Sequence, residues 1–326
     1  MVNAISEPIA LDRTRFLGGT DMAALYGVSK WKTPLQVWAE KTRRDAYRED
    51  DPAKTKVLNR GKRLEPVVVA MLREDYGLDV VAVNERYTHP DHTFLSVEID
   101  FEWRVTEQAL AAFPWLAPLE LGSIQNGEVK TVHPFVAHEW GDMGTDDVPI
   151  HYAAQSMTGL AVTGRDVCLY ATLVGVDDLT FYAVRRDQET IDAMVAKAVD
   201  FWTNHVLTDI PPNPETFDDL KFLYARDNGQ AIEATDEILA QLAEFRELSD
   251  QAKRIEERRD ELKFGIQTFM EPNAILTAKG GPVATWKSQS ASRLDGKALA
   301  LARPDIAAAY RTTSETRVFR LKGAKK

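Results

Sequence analysis

Nine residues, Leu95-Ser-Val-Glu-Ile-Asp100-Phe-Glu-Trp103, constrain the fold more than any other stretch of the chain. Apolar residues alternate with polar ones, the period-two pattern of a half-buried strand. The same alternation puts Glu98, Asp100 and Glu102 on one face. A second extended segment, Gly127 to Thr131, carries Glu128 and Lys130 two apart and so on one face. An acid on one strand and an acid–lysine pair on the next can build a small site for a hard cation, because carboxylate oxygens suit Mg²⁺ or Mn²⁺. A lysine beside it can orient water or stabilise charge on a phosphate. Alone, a Glu-x-Lys strand more often describes a solvated sheet face, so the rest of the chain has to decide.

The 326 residues suffice for one large domain or a domain with an appendage, and 44% hydrophobic content supports a substantial core. No apolar run approaches the ~20 residues needed to cross a bilayer, so no membrane partner is expected. Met1 to Asp12 lacks a basic flank followed by an apolar run, so no secretory signal is expected. The single cysteine, Cys168, excludes an intramolecular disulfide and a four-cysteine cluster; in its apolar run it reads as a small hydrophobe. A reducing, cytoplasmic location follows as an expectation. The net charge of −10 is uneven. Residues 1–63 carry 13 Lys/Arg against 8 Asp/Glu, residues 293–326 carry 9 against 3, and the middle is strongly acidic. Basic ends on an acidic body are compatible with phosphate contact at two places, and equally with ordinary solubility charge.

Taken in order, residues 1–12 read as a loose arm. Arg13-Thr-Arg15-Phe-Leu-Gly-Gly-Thr20-Asp21 leads through a glycine turn into a short helix that Thr20 or Asp21 can cap. A hydroxyl at a helix start with an arginine nearby is a ready phosphate seat. Thr33-Pro34 opens another helix, with Pro at its first position. Lys41 to Lys56 has no periodicity and reads as a basic exposed loop. A helix is expected from Asn59 to Tyr76, with Leu64, Val67, Val68, Met71 and Leu72 as its buried stripe and Glu65 in its first turn. There Glu65 is either a favourable acid at the positive helix end or a further carboxylate of the cation site. Strands are expected at 80–83 and 85–88, and residues 109–125, rich in Pro and Gly, read as an insertion between the Asp100 and Glu128 strands. A helix over 150–162 puts Tyr152 and Gln155 on one face. A hairpin follows over 167–184, then a helix from Asp187 to Val206. Residues 235–266 repeat apolar positions at spacings of three and four amid mixed charge, the mark of a long helix with a narrow seam. Strands at 283–287 and 317–321, and a helix over 299–310, are expected in the tail.

These pieces resemble the YqaJ-type viral recombinase and lambda-exonuclease family, within the PD-(D/E)XK nucleases. The resemblance covers roughly residues 13–205. It rests on Leu17-Gly-Gly-Thr-Asp21, Lys32-Thr-Pro-Leu-Gln-Val-Trp38, Gly61 with Glu65-Pro66, Asp100, Glu128-Val-Lys130, and Tyr152-Ala-Ala-Gln155 leading to Gly164, in that order. It implies an α/β (α+β) fold: a restriction-endonuclease-like mixed β-sheet core flanked by helices over 1–212. A C-terminal extension over 213–326 then adds the long helix, a small β-hairpin and a basic tail. At matching positions it implies that Asp100 and Glu128 bind catalytic Mg²⁺ (or Mn²⁺), with the Val129 backbone carbonyl as a further ligand. Lys130 would position and help deprotonate the attacking water, Glu65 would complete the acidic cluster, and Gln155 with Tyr152 would orient Lys130 or the DNA. Thr20 would hold a phosphate, and Arg13 would grip the DNA-end phosphate. Two departures stand out. The first acid lies in Glu98-Ile99-Asp100 rather than Pro-Asp, which leaves Glu98 as a rival, and the span from Asp100 to Glu128 is long.

The family implies a Mg²⁺-dependent exonuclease that hydrolyses duplex DNA from its ends, 5′→3′, and gives single strands for phage-type recombination. Its implied partners are duplex DNA ends, a single-strand annealing protein and further copies of the chain, a trimeric ring being the precedent. A structure-specific or restriction-like endonuclease fits the same core. A non-catalytic DNA-end adaptor, docking through the seam helix, is the alternative of another class.

Overall fold

In the computed structural model, residues 12–42, 44, 52–313 and 315–322 are described. The expected N-terminal arm up to residue 11 and half of the basic loop, residues 43 and 45–51, lie outside them. The chain forms two compact units, Met1–Tyr224 and Ala225–Lys326.

The first unit is built on a five-stranded mixed sheet in the order β1-β2-β3-β4-β5. The strands are β1 (Asp79–Thr88), β2 (Ser96–Arg104), β3 (Ile124–Val132), β4 (Val167–Val174) and β5 (Asp178–Arg185). Every neighbouring pair is antiparallel except β3 and β4. That parallel pair needs a crossover, supplied by α5 (Ile150–Thr163), which Gly164 ends in a left-handed conformation. One side of the sheet packs on α1 (Gly19–Leu25), α2 (Pro34–Lys41), α5 and α6 (Gln188–Phe201) through Met22, Leu35, Trp38, Leu160, Tyr170 and Met194. The other side packs on α3 (Pro52–Glu74) and α4 (Glu107–Ala112) through Val68, Leu72, Phe101, Trp103, Phe113 and Phe181. This is the mixed sheet flanked by helices that the sequence leads one to expect. The last element of the unit, α7 (Phe217–Leu223), is tied in by buried Asp219, which accepts from Thr33 Oγ1 at 2.9 Å.

Three local expectations change. The helix expected from Asn59 starts at Pro52, so Glu65 lies mid-helix and gains nothing from a helix end. Its first turns show no apolar period because Val57 and Leu58 are exposed. Its buried stripe runs through Val68, Val69 and Leu72, and Val67 faces outward. The two short strands before Asp100 are one strand, β1, interrupted by Asn84 at φ 56°. The insertion before Glu128 is ordered: Thr106 caps α4, and Ala109, Phe113 and Leu116 enter the core.

In the second unit, α8 (Asp236–Met270) is 35 residues long, capped by Thr235. A hairpin follows, β6 (Ile275–Ala278) with β7 (Gly281–Thr285), turning through Lys279 and Gly280, both at positive φ. Such two-residue turns match the twist of paired strands. The strand expected at 317–321 does not form; the strand that pairs with β7 is β6, which lies before the glycines, not after the helix. The expected 299–310 helix is two, α9 (Gly296–Ala302) and α10 (Pro304–Ala309), because Pro304 cannot continue the first. Among the described residues no helix is long and apolar enough to cross a membrane.

Candidate active site

The site is made where the sheet ladder is broken on purpose. β2 pairs with β3 only from Phe101–Gly127 to Arg104–Ile124, and opposite Asp100 the β1 ladder is interrupted at left-handed Asn84. The apolar series of β2 divides at the same point: Val97 and Ile99 enter the α5 side of the sheet, Phe101 and Trp103 the α3 side. Beyond the ladder, Asp100 Oδ2 takes the Val129 N–H at 2.9 Å in place of a backbone carbonyl. Gly127 is required here, since a Cβ would stand 2.2 Å from the Phe101 ring.

Glu128 is buried on β3, the central strand. Its Oε1 accepts from Gln155 Nε2 at 2.5 Å and forms a close ion pair with Lys130 Nζ. Gln155 Oε1 is 3.5 Å from the same ammonium, and the Tyr152 ring centroid is 4.9 Å from it. Gln155 and Tyr152 thus share the α5 face that their spacing predicts and meet the two charged residues of β3. α1 approaches Gln155 so closely that a Cβ on Gly19 would stand 2.8 Å from Gln155 Cγ. Lining one cleft of about 220 Å³ are Arg13, Thr20, Asp100, Glu128 and Gln155.

Charge follows from this crowding. Burial and the neighbouring Glu128 carboxylate raise the Asp100 pKa from 3.8 to about 7, against the opposing pull of Lys130 and the Val129 N–H. Burial disfavours the Lys130 ammonium, but Glu128 and Asp100 outweigh it, so Lys130 holds its proton above the ordinary lysine range. Glu65 stands outside the cleft lining, half-buried on α3, where burial and Asp100 raise its pKa and the Asn84 side chain hydrogen-bonds it. The acids of β2 part company. Glu98 is exposed and closely ion-paired with Arg86, whereas Glu102 is buried against Arg165 at 2.9 Å. Both candidate first acids line the cleft, and the Glu128 charge acts on Asp100.

Two carboxylates forced together in a buried site, one of them driven toward its neutral form, are a donor set that a divalent cation fits. Among the described residues no group of three His, Cys, Asp or Glu could hold a metal.

Arg13 and Thr20 reach the cleft through a second charged centre, one the sequence reading missed. Thr20 does not cap α1; the helix starts at Gly19, and Asp21 Oδ2 reaches back to the Gly18 N–H at 3.1 Å. Fully buried Asp21 also accepts from Lys41 Nζ at 2.8 Å and Lys32 Nζ at 3.2 Å, and Lys41 Nζ donates to the Arg13 carbonyl at 3.0 Å. Burial opposes its charge, yet Lys32 and Lys41 prevail and bring its pKa to about 2. The available signal was Lys41, three and four residues after buried Trp38 and Val37 and so on the apolar stripe of α2. Trp31 was missed too: it is half exposed, edge-on to His151 at 4.7 Å and 6.2 Å from the Tyr152 ring.

With this geometry in hand, the comparison with known proteins is direct. Residues 10–166 match the YqaJ-like viral recombinase domain. All nine residues that the sequence motifs single out fall inside that YqaJ-like stretch. The uncharacterized protein YqaJ of Bacillus subtilis (strain 168) is 25% identical over 319 residues, 96% of this chain and 92% of its own. Among solved structures, the alkaline exonuclease LHK-Exo of Laribacter hongkongensis is similar over 61% of this chain and 91% of its own, at 16% identity and a TM-score of 0.40. A phage-related exonuclease of Haemophilus somnus 129PT is similar over 60% of this chain and 96% of its own, at 13% identity and a TM-score of 0.37.

Proposed function

We propose that the chain is a Mg²⁺-dependent (or Mn²⁺-dependent) deoxyribonuclease that degrades duplex DNA from its ends, 5′→3′, and leaves single strands for an annealing protein in phage-type recombination. The observation that carries this reading is the meeting of Asp100, Glu128 and Gln155 with Arg13 and Thr20 in one cleft of the YqaJ-like domain. Carboxylates alone would repel DNA; an arginine and a hydroxyl beside them give a phosphate somewhere to bind.

Asp100, Glu128 and the Val129 carbonyl would hold the cation, with Glu65 adding negative charge nearby. Once bound, the cation supplies Lewis-acid polarisation of the phosphate and eases loss of a proton from water. The chain's own residues do the rest. Arg13 and Thr20 grip the terminal phosphate. Lys130 stays an ammonium, since Glu128 and Asp100 hold its proton, so it orients water and faces the charge that builds on the phosphate. Gln155 fixes the Glu128 and Lys130 side chains relative to each other, and the Tyr152 ring covers the ammonium. Digestion of linear and closed-circular duplex with Mg²⁺ tests the end requirement: loss of the linear form alone is expected, and cutting of the circle contradicts it.

A further inference from the structure

The YqaJ-like match ends at residue 166, well before α8 begins at Asp236. At a rise of 1.5 Å per residue this helix is about 52 Å long, far beyond the length at which an isolated helix is marginal. Only Met270 is buried along it. Its apolar residues nevertheless follow a heptad: Ile238, Phe245, Ala252 and Ile266 at one seam position, Leu248, Ile255, Leu262 and Phe269 at the other. Gln241 and Arg259 interrupt the series once each. A 3.5-residue repeat keeps a narrow strip turned toward a partner helix, and five heptads of it are present. Ile255, Leu262 and Phe269 are 62, 51 and 77% exposed. The tail covers little of the strip: Phe319 stands edge-on to Phe245 at 5.8 Å, and Phe245 remains half exposed.

We propose that α8 is the seam of an antiparallel coiled coil formed with a second copy of this chain. The charges choose the partner and its direction. With nine carboxylates against six Lys and Arg, the helix does not suit a phosphate backbone. A parallel pair sets Arg259 against the partner's Arg259 inside the seam, and Arg258 beside the partner's Lys263. An antiparallel pair with Phe245 facing the partner's Leu262 removes both repulsions. Arg259 then meets the partner's Leu248, and Arg258 lies beside the partner's Gln251. The acidic stretch 236–250, with five carboxylates and one arginine, runs along the partner's residues 251–270, with five cations and four carboxylates. This pairing is independent of the nuclease reading and adds to whatever contacts the first unit makes.

Sedimentation of the full-length protein tests it. Ile255→Lys with Leu262→Lys alters exposed side chains only, so circular dichroism should be unchanged while the mass of the assembly falls by half. An unchanged mass overturns the proposal. Direction is read by oxidative cross-linking of the variants Phe245→Cys and Leu262→Cys; the native thiol, Cys168, is buried. The two variants mixed should cross-link and each alone should not. Cross-linking of either alone shows a parallel pair and overturns the antiparallel assignment, and no cross-link in any mixture overturns it too.

Discussion

The first unit buries two lysine–carboxylate centres, and their charge balances are opposite. At Asp21, two ammonium groups, Lys32 and Lys41, serve one buried carboxylate, and its pKa falls to about 2. At Asp100, two carboxylates compete for one ammonium, Lys130, and the Asp100 pKa rises to about 7. The first centre is complete as it stands and ties Arg13, Gly18 and α2 together. The second crowds two carboxylates around one ammonium, a cost that protonation of Asp100 relieves and that the proposed cation would relieve as well. Crowding of this kind separates a site built to bind from one built to hold.

The largest effect that can break this contrast is on cleavage. Asp100→Asn, Glu128→Gln and Lys130→Ala should each lower the rate of DNA hydrolysis by about 100-fold or more, the scale on which single charge-stabilising groups act. Asp100→Asn should leave the metal-free protein as stable as the parent or more so, measured by urea unfolding. Asp21→Asn should do the reverse to stability, costing about 3–5 kcal/mol, because it strands the buried Lys41 ammonium.

The pH slopes should also be opposite. The Asp21 carboxylate, depressed in the folded state, contributes stability above about pH 4 that is lost as pH falls toward 2. Asp100, raised in the folded state, costs the metal-free protein stability as pH climbs from about 4 to about 7, and Asp100→Asn should flatten that limb. A smaller effect is expected in thermal melts. Mg²⁺ should raise the melting temperature of the parent and of Gly19→Ala by a few degrees, about what a weakly held ligand provides, and not that of Glu128→Gln. Gly19→Ala should itself slow cleavage modestly by pressing α1 against Gln155.

Much of the second centre was legible in the sequence. Glu128 and Lys130 are two apart on a strand, and Tyr152 and Gln155 three apart on a helix, so local periodicity alone puts each pair on one face. That the two pairs meet, and that Asp100 joins them, depends on Asn84 and on the ladder ending at Phe101–Gly127, long-range features with no local period. The first centre was nearly silent, because Asp21, Lys32 and Lys41 look like ordinary surface charges until α1 and α2 pack. The α8 seam was plain in its spacing, whereas the tail hairpin was misplaced because Lys279 takes a positive φ that its residue type does not favour.

Digestion of end-labelled linear duplex tests most directly whether the Asp100–Glu128–Lys130 centre is that of a cation-dependent nuclease. The parent with Mg²⁺ should degrade the duplex progressively from its ends and stop on addition of chelator, while Lys130→Ala should bind the same DNA without cleaving it. Undiminished cleavage by Lys130→Ala, or by the parent in chelator, contradicts it.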